Sequence, residues 1–299
     1  MLHSDSPRNR LIGIGLISGA FFCFALLDGG AKWLVHSLPV LLVVWLRFLV
    51  HAVLSVLLLA PQIARGALRA RRPGLQVLRA LSLPVMTGLN FWALQYLQLA
   101  ETGSIQFSVP IIVALLAVPL LGERMDRGRW AAILVGFAGV VVILRPGMQG
   151  FHPALLLSLA TAFLYALFNL LTRRLAAHDS PETTQLWSAI GATLAITPFA
   201  LAVWQAPASA LHWAVLLIIG TAGGLGHYLL ALAYRHAPAS VLAPFLYQQI
   251  VWMMLIGYVV FGDVPARAVL LGAVIVVASG GYLLVRERRA RVTAADSPA

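Results

Sequence analysis

VVWLRFLVHAVL, residues 43–54, holds ten apolar side chains out of twelve, with Arg47 and His51 one helical turn apart among them. A helix of this kind needs an apolar solvent, yet it carries a cation. The surrounding chain identifies the solvent. Of its 299 residues 61% are hydrophobic and 10% charged, with a mean hydropathy of +0.89, where a soluble domain carries about 25% charged residues. So little charge cannot clothe a water-exposed surface of this length. The sequence therefore predicts a chain dissolved in a bilayer.

A helix crosses the hydrocarbon core with about 20 apolar residues. Ten such runs follow one another, at 11–35, 40–60, 75–99, 104–121, 130–145, 153–173, 184–204, 211–235, 239–261 and 267–285. Prolines inside the runs, among them Pro84, Pro110 and Pro198, are tolerated where neighbouring helices satisfy the freed carbonyls. No run alternates with the period of a barrel strand. The expected fold class is an all-α membrane protein of ten transmembrane helices. The first run continues too far for a cleaved signal peptide and reads as a retained span. Cys23, the single cysteine, reads as a small packing residue.

Charge sets the orientation. Net charge is +11, and twenty of the 21 cationic residues are arginine. Seventeen of them fall on the side that starts with Arg8 and Arg10 and continues with Arg65 to Arg79, Arg124 to Arg129, Arg173, Arg174, Arg235 and Arg286 to Arg291. The other side receives Lys32, Arg145 and Arg267. By the positive-inside rule both termini are cytoplasmic. Arginines distributed between apolar runs form no continuous basic face, so nucleic acid is not an expected partner. The partners expected are the lipid bilayer and a small-molecule substrate.

The chain also resembles itself. CFALLDGGAKWLVHSLP (23–39) lies over LYALFNLLTRRLAAHDSP (164–181), which sets Asp28 on Asn169 and Lys32 on Arg173. Trp45 and Trp187 each follow the matching proline by six residues, and ALQYLQLAETGSIQF (93–107) matches ALAYRHAPASVLAPF (231–245). The offset stays between 138 and 142 residues. Each copy has five spans, an odd number, so the second enters from the opposite side. Such inverted repeats are a transporter architecture. The expected division is a cytoplasmic N-terminus 1–10, a first repeat 11–146, a second repeat 153–286 and a basic cytoplasmic tail 287–299.

The chain resembles the drug/metabolite transporter superfamily, in particular its EamA-type 5+5 members, over nearly its whole length. The resemblance is carried by Lys32 and Pro39 before Arg47, by AL at 93–94 leading to Pro110, by LLGER at 120–124 and by GFAGVVVILRP at 136–146. It departs from the family pattern at Asp263, where members often have glutamate, and at Ala189, opposite Arg47. The resemblance implies a secondary transporter of the cell inner membrane, with exporters of amino acids and metabolites and vitamin uptake systems among its members.

Arginine at mid-membrane costs about 2.5–3.5 kcal/mol on insertion scales, so Arg47 must face a partner or water. Asp28 and Arg47 lie symmetrically about the HSLP connection (36–39). Each is seven residues deep, roughly 10 Å below the helix ends. An ion pair, a water-linked pair or a snorkelling Arg47 would each meet the cost. Other polar residues recur at helical spacing. Trp92, Gln95 and Tyr96 stand in the third span and Gln106 opens the fourth. Thr161, Tyr165 and Asn169 share a face of the sixth. His227 and Tyr228 follow a glycine cluster in the eighth, and Gln248 and Trp252 lie one turn apart in the ninth. Singly each reads as an interhelical hydrogen bond; together they outline a hydrated pathway. Asp28, Glu101 and His227 are candidates for proton coupling. Spans five and ten lack such residues and read as peripheral scaffold or a homodimer contact.

The sequence contains no GxxxxGK[ST] for an ATP motor and no HExxH or GxSxG for an intramembrane enzyme; it calls for no cofactor and no metal. Arginine among aromatic and amide groups suits a carboxylate, and by family analogy points to export of an amino-acid-like or opine-type (metallophore-like) solute. A planar solute such as riboflavin, taken up and stacked on the same aromatic rings, is the alternative. If the Asp28–Arg47 relationship is a folding clamp, the exchange Asp28→Arg with Arg47→Asp restores the folded protein lost in each single variant, measured by monodisperse gel filtration. If the same protein also transports, a direct substrate role for Arg47 is excluded.

Overall fold

A computed structural model describes the whole chain except residues 1–6, 122–126, 146–150, 176–177, 238–241, 243–244, 246 and 296–299. The helices are α1 (Pro7–Leu34), α2 (Val40–Leu58), the short α3 (Ala60–Ala64), α4 (Pro73–Leu94), α5 (Leu99–Gln106) and α6 (Val109–Leu121). They continue with α7 (Arg127–Leu144), α8 (Ala154–Leu175), α9 (Pro181–Ala202), α10 (Ala210–His236), α11 (Gln248–Phe261) and α12 (Arg267–Ala295). Six of them, α1, α2, α4, α8, α9 and α10, are long and apolar enough to cross a membrane, and α5–α6, α7, α11 and α12 contain shorter apolar stretches.

Local chemistry sets the helix ends. Ser180 accepts the Thr183 amide at 3.2 Å and Pro181 supplies the first helical residue of α9, where a missing N–H is harmless. Ser209 caps α10 in the same way through the His212 amide. Gly262 ends α11 at φ +68°, and the Asp263 amide turns back to the Gly257 carbonyl at 3.0 Å, the left-handed stop that glycine permits. The fourth span begins earlier than its hydropathy suggests. Its first turn, α5, is polar and starts at Leu99. The helix then breaks before Pro110, which has no amide to donate.

Helix pairing follows small residues. α1 runs along α10, α4 along α8 and α9, and α2 lies on α9 and α10. α1 also meets α11, α5 and α6 meet α8, and α7 pairs with α12. In lipid no hydrophobic force drives helices together, so close backbone approach matters. A Cβ on Gly139 would lie 3.0 Å from the Gly272 carbonyl. Spans five and ten thus use their glycines against each other within the chain, and present Leu134, Val141, Leu271 and Val274 outward. Gly220 of α10 packs closely: its Cβ would sit 2.5 Å from Val50 Cβ. Gly15 does not, with nothing within 4 Å. Around these crossings Leu34, Leu42, Phe48, Phe91 and Leu94 are fully buried.

Gly220→Ala forces α10 off α2, since the new methyl also lies 3.1 Å from the Arg47 carbonyl. Overpacking of this kind costs about 1–3 kcal/mol. The variant should unfold at a lower temperature in detergent, followed by tryptophan fluorescence, while Gly15→Ala leaves the midpoint unchanged.

Candidate functional site

Arg47 is 5% exposed, deep in α2. Its guanidinium lies 4.3 Å from the centre of the Phe48 ring and reaches Thr87 Oγ1 at 3.5 Å through Nη1. Nε is buried without a partner. Gly223 of α10 makes the room: a Cβ there would stand 3.2 Å from Nη2 and 3.4 Å from Nε. Asp28 does not form the direct ion pair expected from its depth. Its Oδ1 accepts from Asn90 Nδ2 at 3.1 Å, although Asp28 and Arg47 lie within each other's field. Thr87 and Asn90 stand one turn apart on α4 and each takes one of the two charges. Level Cα atoms on neighbouring helices did not fix where the side-chain heads go.

His51, one turn below Arg47, is 3% exposed. Its Nε2 accepts the Gln185 amide of α9 at 2.7 Å, which leaves the proton on Nδ1, and Nδ1 has no partner. The His227 ring lies parallel to it, 5.9 Å away with 10° between the planes. Phe24 meets His227 edge-on at 5.0 Å. His51, read from sequence as a helix-face residue, is thus part of the polar interior.

Arg79 corrects the charge count. It was expected among the arginines of the solvent-exposed side. Instead it is 9% exposed inside α4, 4.0 Å from the centre of the Phe168 ring. Its Nε donates to Thr172 Oγ1 at 2.7 Å, and Nη1 to the Thr184 carbonyl at 3.4 Å and to Ser188 Oγ. A signal for this was present. Gln76, Arg79, Thr87 and Asn90 recur with helical spacing, and all but the half-buried Asn90 are buried. Tyr165 stacks on Phe168 at 6.1 Å and lies in the field of Arg79.

The remaining candidates divide. Gln248 accepts from Ser18 Oγ at 3.3 Å, and its Nε2 and the Trp252 Nε1 are buried without partners. Gln106 is half-buried at the end of α5. Asn169 donates to the Tyr165 carbonyl of its own helix at 2.9 Å, and Gln95 to the Val35 carbonyl at 2.8 Å. Trp92 and Tyr96 leave the interior set. Trp92 extends the exposed stripe of Leu78, Leu81 and Val85 on α4, and the exposed Tyr96, just past the helix end, stacks on His152 at 5.0 Å. Tyr228 leaves with them, on the exposed face of Leu217 and Leu225, opposite buried Gly223. Glu101 serves as a helix cap: Oε2 accepts the Gln98 amide at 2.9 Å, and Oε1 lies 3.9 Å from Arg145 Nη2.

Both ends of the bundle are tied. At the α1–α2 end, Lys32 Nζ meets Asp263 Oδ2 at 2.6 Å beneath the Phe261 ring. Gln98 reaches the Val264 carbonyl at 3.4 Å nearby. Glu123, its expected counterpart at the end of span four, lies outside the described residues. At the opposite end Asp179 accepts the Arg71 amide at 2.6 Å and Gln76 Nε2 at 2.9 Å. A cleft of about 440 Å³ opens there between the 65–71 loop and residues 178–183.

Helices with apolar exteriors around a charged and aromatic interior define a multi-pass membrane protein. The chain belongs to the EamA-like transporter family, whose model matches residues 11–145 and again 152–285. It is 27% identical over 289 residues to the S-adenosylmethionine uptake transporter of Rickettsia bellii, covering 96% of this chain and 98% of the relative. It is 30% identical over 271 residues to the riboflavin transporter of Vibrio cholerae, covering 88% and 90%. It is also 26% identical over 267 residues to the pseudopaline exporter CntI of Pseudomonas aeruginosa, covering 89% and 93%. One solved crystal structure matches the fold with a TM-score of 0.63 at 21% identity, over 95% of this chain and 99% of the other.

Asp179 makes the end tie acid-sensitive. Burial raises its pKa, but hydrogen bonds from the Arg71 amide, Gln76 and the Arg72 amide outweigh it and hold the carboxyl below its ordinary 3.8. A lowered folded-state value stabilises above 3.8 and is lost as pH falls through the lowered value. Asp179→Asn should therefore lose less thermal stability than the unaltered protein as pH is lowered through that range, measured by unfolding midpoints in detergent.

Proposed function

We propose that this protein is a secondary transporter of the cytoplasmic membrane, moving a small carboxylate-bearing metabolite by alternating access. Ten helices form two oppositely inserted halves, 11–146 and 153–286, with both termini in the cytoplasm. The family model's two matches support the division. So does the packing, because exchanging the halves preserves the helix pairs. α1 with α10 becomes α8 with α4, α2 with α10 becomes α9 with α4, and α1 with α11 becomes α8 with α6. The pairs α2 with α9 and α7 with α12 map onto themselves. The outer faces of α7 and α12 are the proposed homodimer contact.

The observation that carries the substrate reading is Arg47: a buried guanidinium with a bare Nε, no carboxylate in contact among the described residues, and a glycine beside it. A buried cation left unpaired costs several kcal/mol, and a substrate carboxylate relieves that cost. Asp28, Asn169, Tyr165, His227, Gln248, Trp252 and Gln106 complete the proposed pathway, with Asp28 and His227 as its proton carriers. Lys32–Asp263 closes the outer end and Asp179 with Arg71 and Gln76 the inner one. Opening either side breaks one tie and keeps the other. One proton entering down 100 mV supplies about 2.3 kcal/mol, enough for roughly 50-fold accumulation of a neutral solute.

Family resemblance favoured export, and the relatives are named for both directions. The second reading is uptake of a planar vitamin; it draws on the riboflavin transporter relatives and on the parallel His51 and His227 rings. Proteoliposomes under a proton gradient, given labelled amino-acid-like and opine-type acids and riboflavin from either side, separate these readings. The carboxylates should exchange, and Arg47→Gln should slow exchange at least about tenfold, the loss of one charge-assisted hydrogen bond. Riboflavin movement insensitive to Arg47→Gln would favour the second reading. Carboxylate exchange equal in both proteins would overturn the first.

A further inference from the structure

The interior holds a second guanidinium that the carboxylate reading does not use. Arg79 sits on Phe168 and donates only to neutral oxygens, Thr172 Oγ1, the Thr184 carbonyl and Ser188 Oγ. Among the described residues no carboxylate lies within salt-bridge distance of Arg79 or of Arg47. A guanidinium has five N–H donors; Arg79 Nη2 donates to no described residue but is not fully buried, whereas Arg47 Nε is buried without a partner. Two buried cations thus stand against Asp28, which accepts from Asn90. A structural clamp alone would be expected to supply a counterion to one of them.

Both guanidiniums are placed by the inward face of α4. Arg79 and Thr87, the hydroxyl that Arg47 reaches, lie on the inward face of α4, eight residues or about 12 Å apart along the axis. His227, in the field of both arginines, and His51 lie in the same interior. His51 Nδ1 is a further buried donor without a partner. The buried unsatisfied groups of Arg47 and His51 are N–H donors, the complement of an acceptor-rich ligand, while Gln76 Oε1, one turn from Arg79 on α4, is a buried acceptor without a partner. Phe48 under Arg47, Phe168 under Arg79 and Phe24 against His227 supply apolar walls between the donors.

We infer that Arg47 and Arg79 bind two separate anionic groups of one substrate, so that the transported class is an elongated dianion with an apolar or aromatic middle. The inference rests on the carboxylate-transport reading and adds the second anionic group. Arg79 is then a specificity-determining residue, and its bonds to Thr172 and Ser188 hold the guanidinium in place for it.

Purified protein in detergent, titrated with straight-chain dicarboxylates from succinate to sebacate and with the matching monocarboxylates, tests this through ligand-induced thermal stabilisation. The longer dicarboxylates should stabilise at concentrations at least about tenfold below their monocarboxylate partners, as a second charge-assisted contact requires. Arg79→Gln should erase that ratio and keep monocarboxylate binding. Equal potency of the two series in the unaltered protein, or an unchanged ratio in Arg79→Gln, overturns the dianion assignment while leaving carboxylate transport standing. No stabilisation by either series overturns both. If Arg79→Gln does not fold, Arg79→Lys decides: the ratio should fall with the loss of the planar donor fork, and an unchanged ratio at every chain length overturns the assignment.

Discussion

A guanidinium buried away from water is the constraint around which this bundle is organised. Nothing in hydrocarbon can solvate Arg47, so the protein surrounds it with the face of Phe48, the Thr87 hydroxyl and the space left by Gly223. Each provision fixes something larger. The glycine brings α10 against α2. The hydroxyl makes one stripe of α4 polar. The aromatic face lets a cation sit among apolar side chains, a contribution of about 2 kcal/mol when desolvated. Arg79 repeats the arrangement on Phe168 with Thr172 and Ser188. A residue that insertion energetics should remove from lipid is thereby kept, in two places, and function is the reason such residues persist.

The fourth helix links these provisions to the ends of the molecule. Read along its inward face, Gln76 reaches Asp179, Arg79 reaches α8 and α9, Thr87 reaches Arg47 and Asn90 reaches Asp28. A displacement of α4 is therefore felt at the inner tie and at the central charges together. At the other end, Lys32 and Asp263 join α1 to the α11–α12 connection. An alternating-access protein needs this kind of coupling, because the state of one end must be legible at the other.

The relatives share this fold but are named for solutes as different as S-adenosylmethionine, riboflavin and pseudopaline. Substrate choice therefore lives in a few interior side chains and not in the bundle. The interior of this chain holds a second buried arginine, two parallel imidazoles and a partnerless Trp252 Nε1.

The sequence by itself determined the solvent and the order of the apolar helices, because both follow from composition and run length. It also pointed to Arg47 as an interior residue, since a lone cation in a twelve-residue apolar stretch has no cheap alternative. It did not determine which polar residues meet. Trp92 and Tyr96 share a span with Thr87 and Asn90, yet the first two face outward and the last two hold the charges. Arg79 lies close enough to the end of its span to be counted with the arginines of that side, and the helix cap that Glu101 forms is seen only in the fold. Helical spacing tells which residues share a face of one helix. Which face turns inward is decided by the neighbours it packs against, here by glycines on α10 and hydroxyls on α8 and α9, and those long-range choices exist only in the folded bundle.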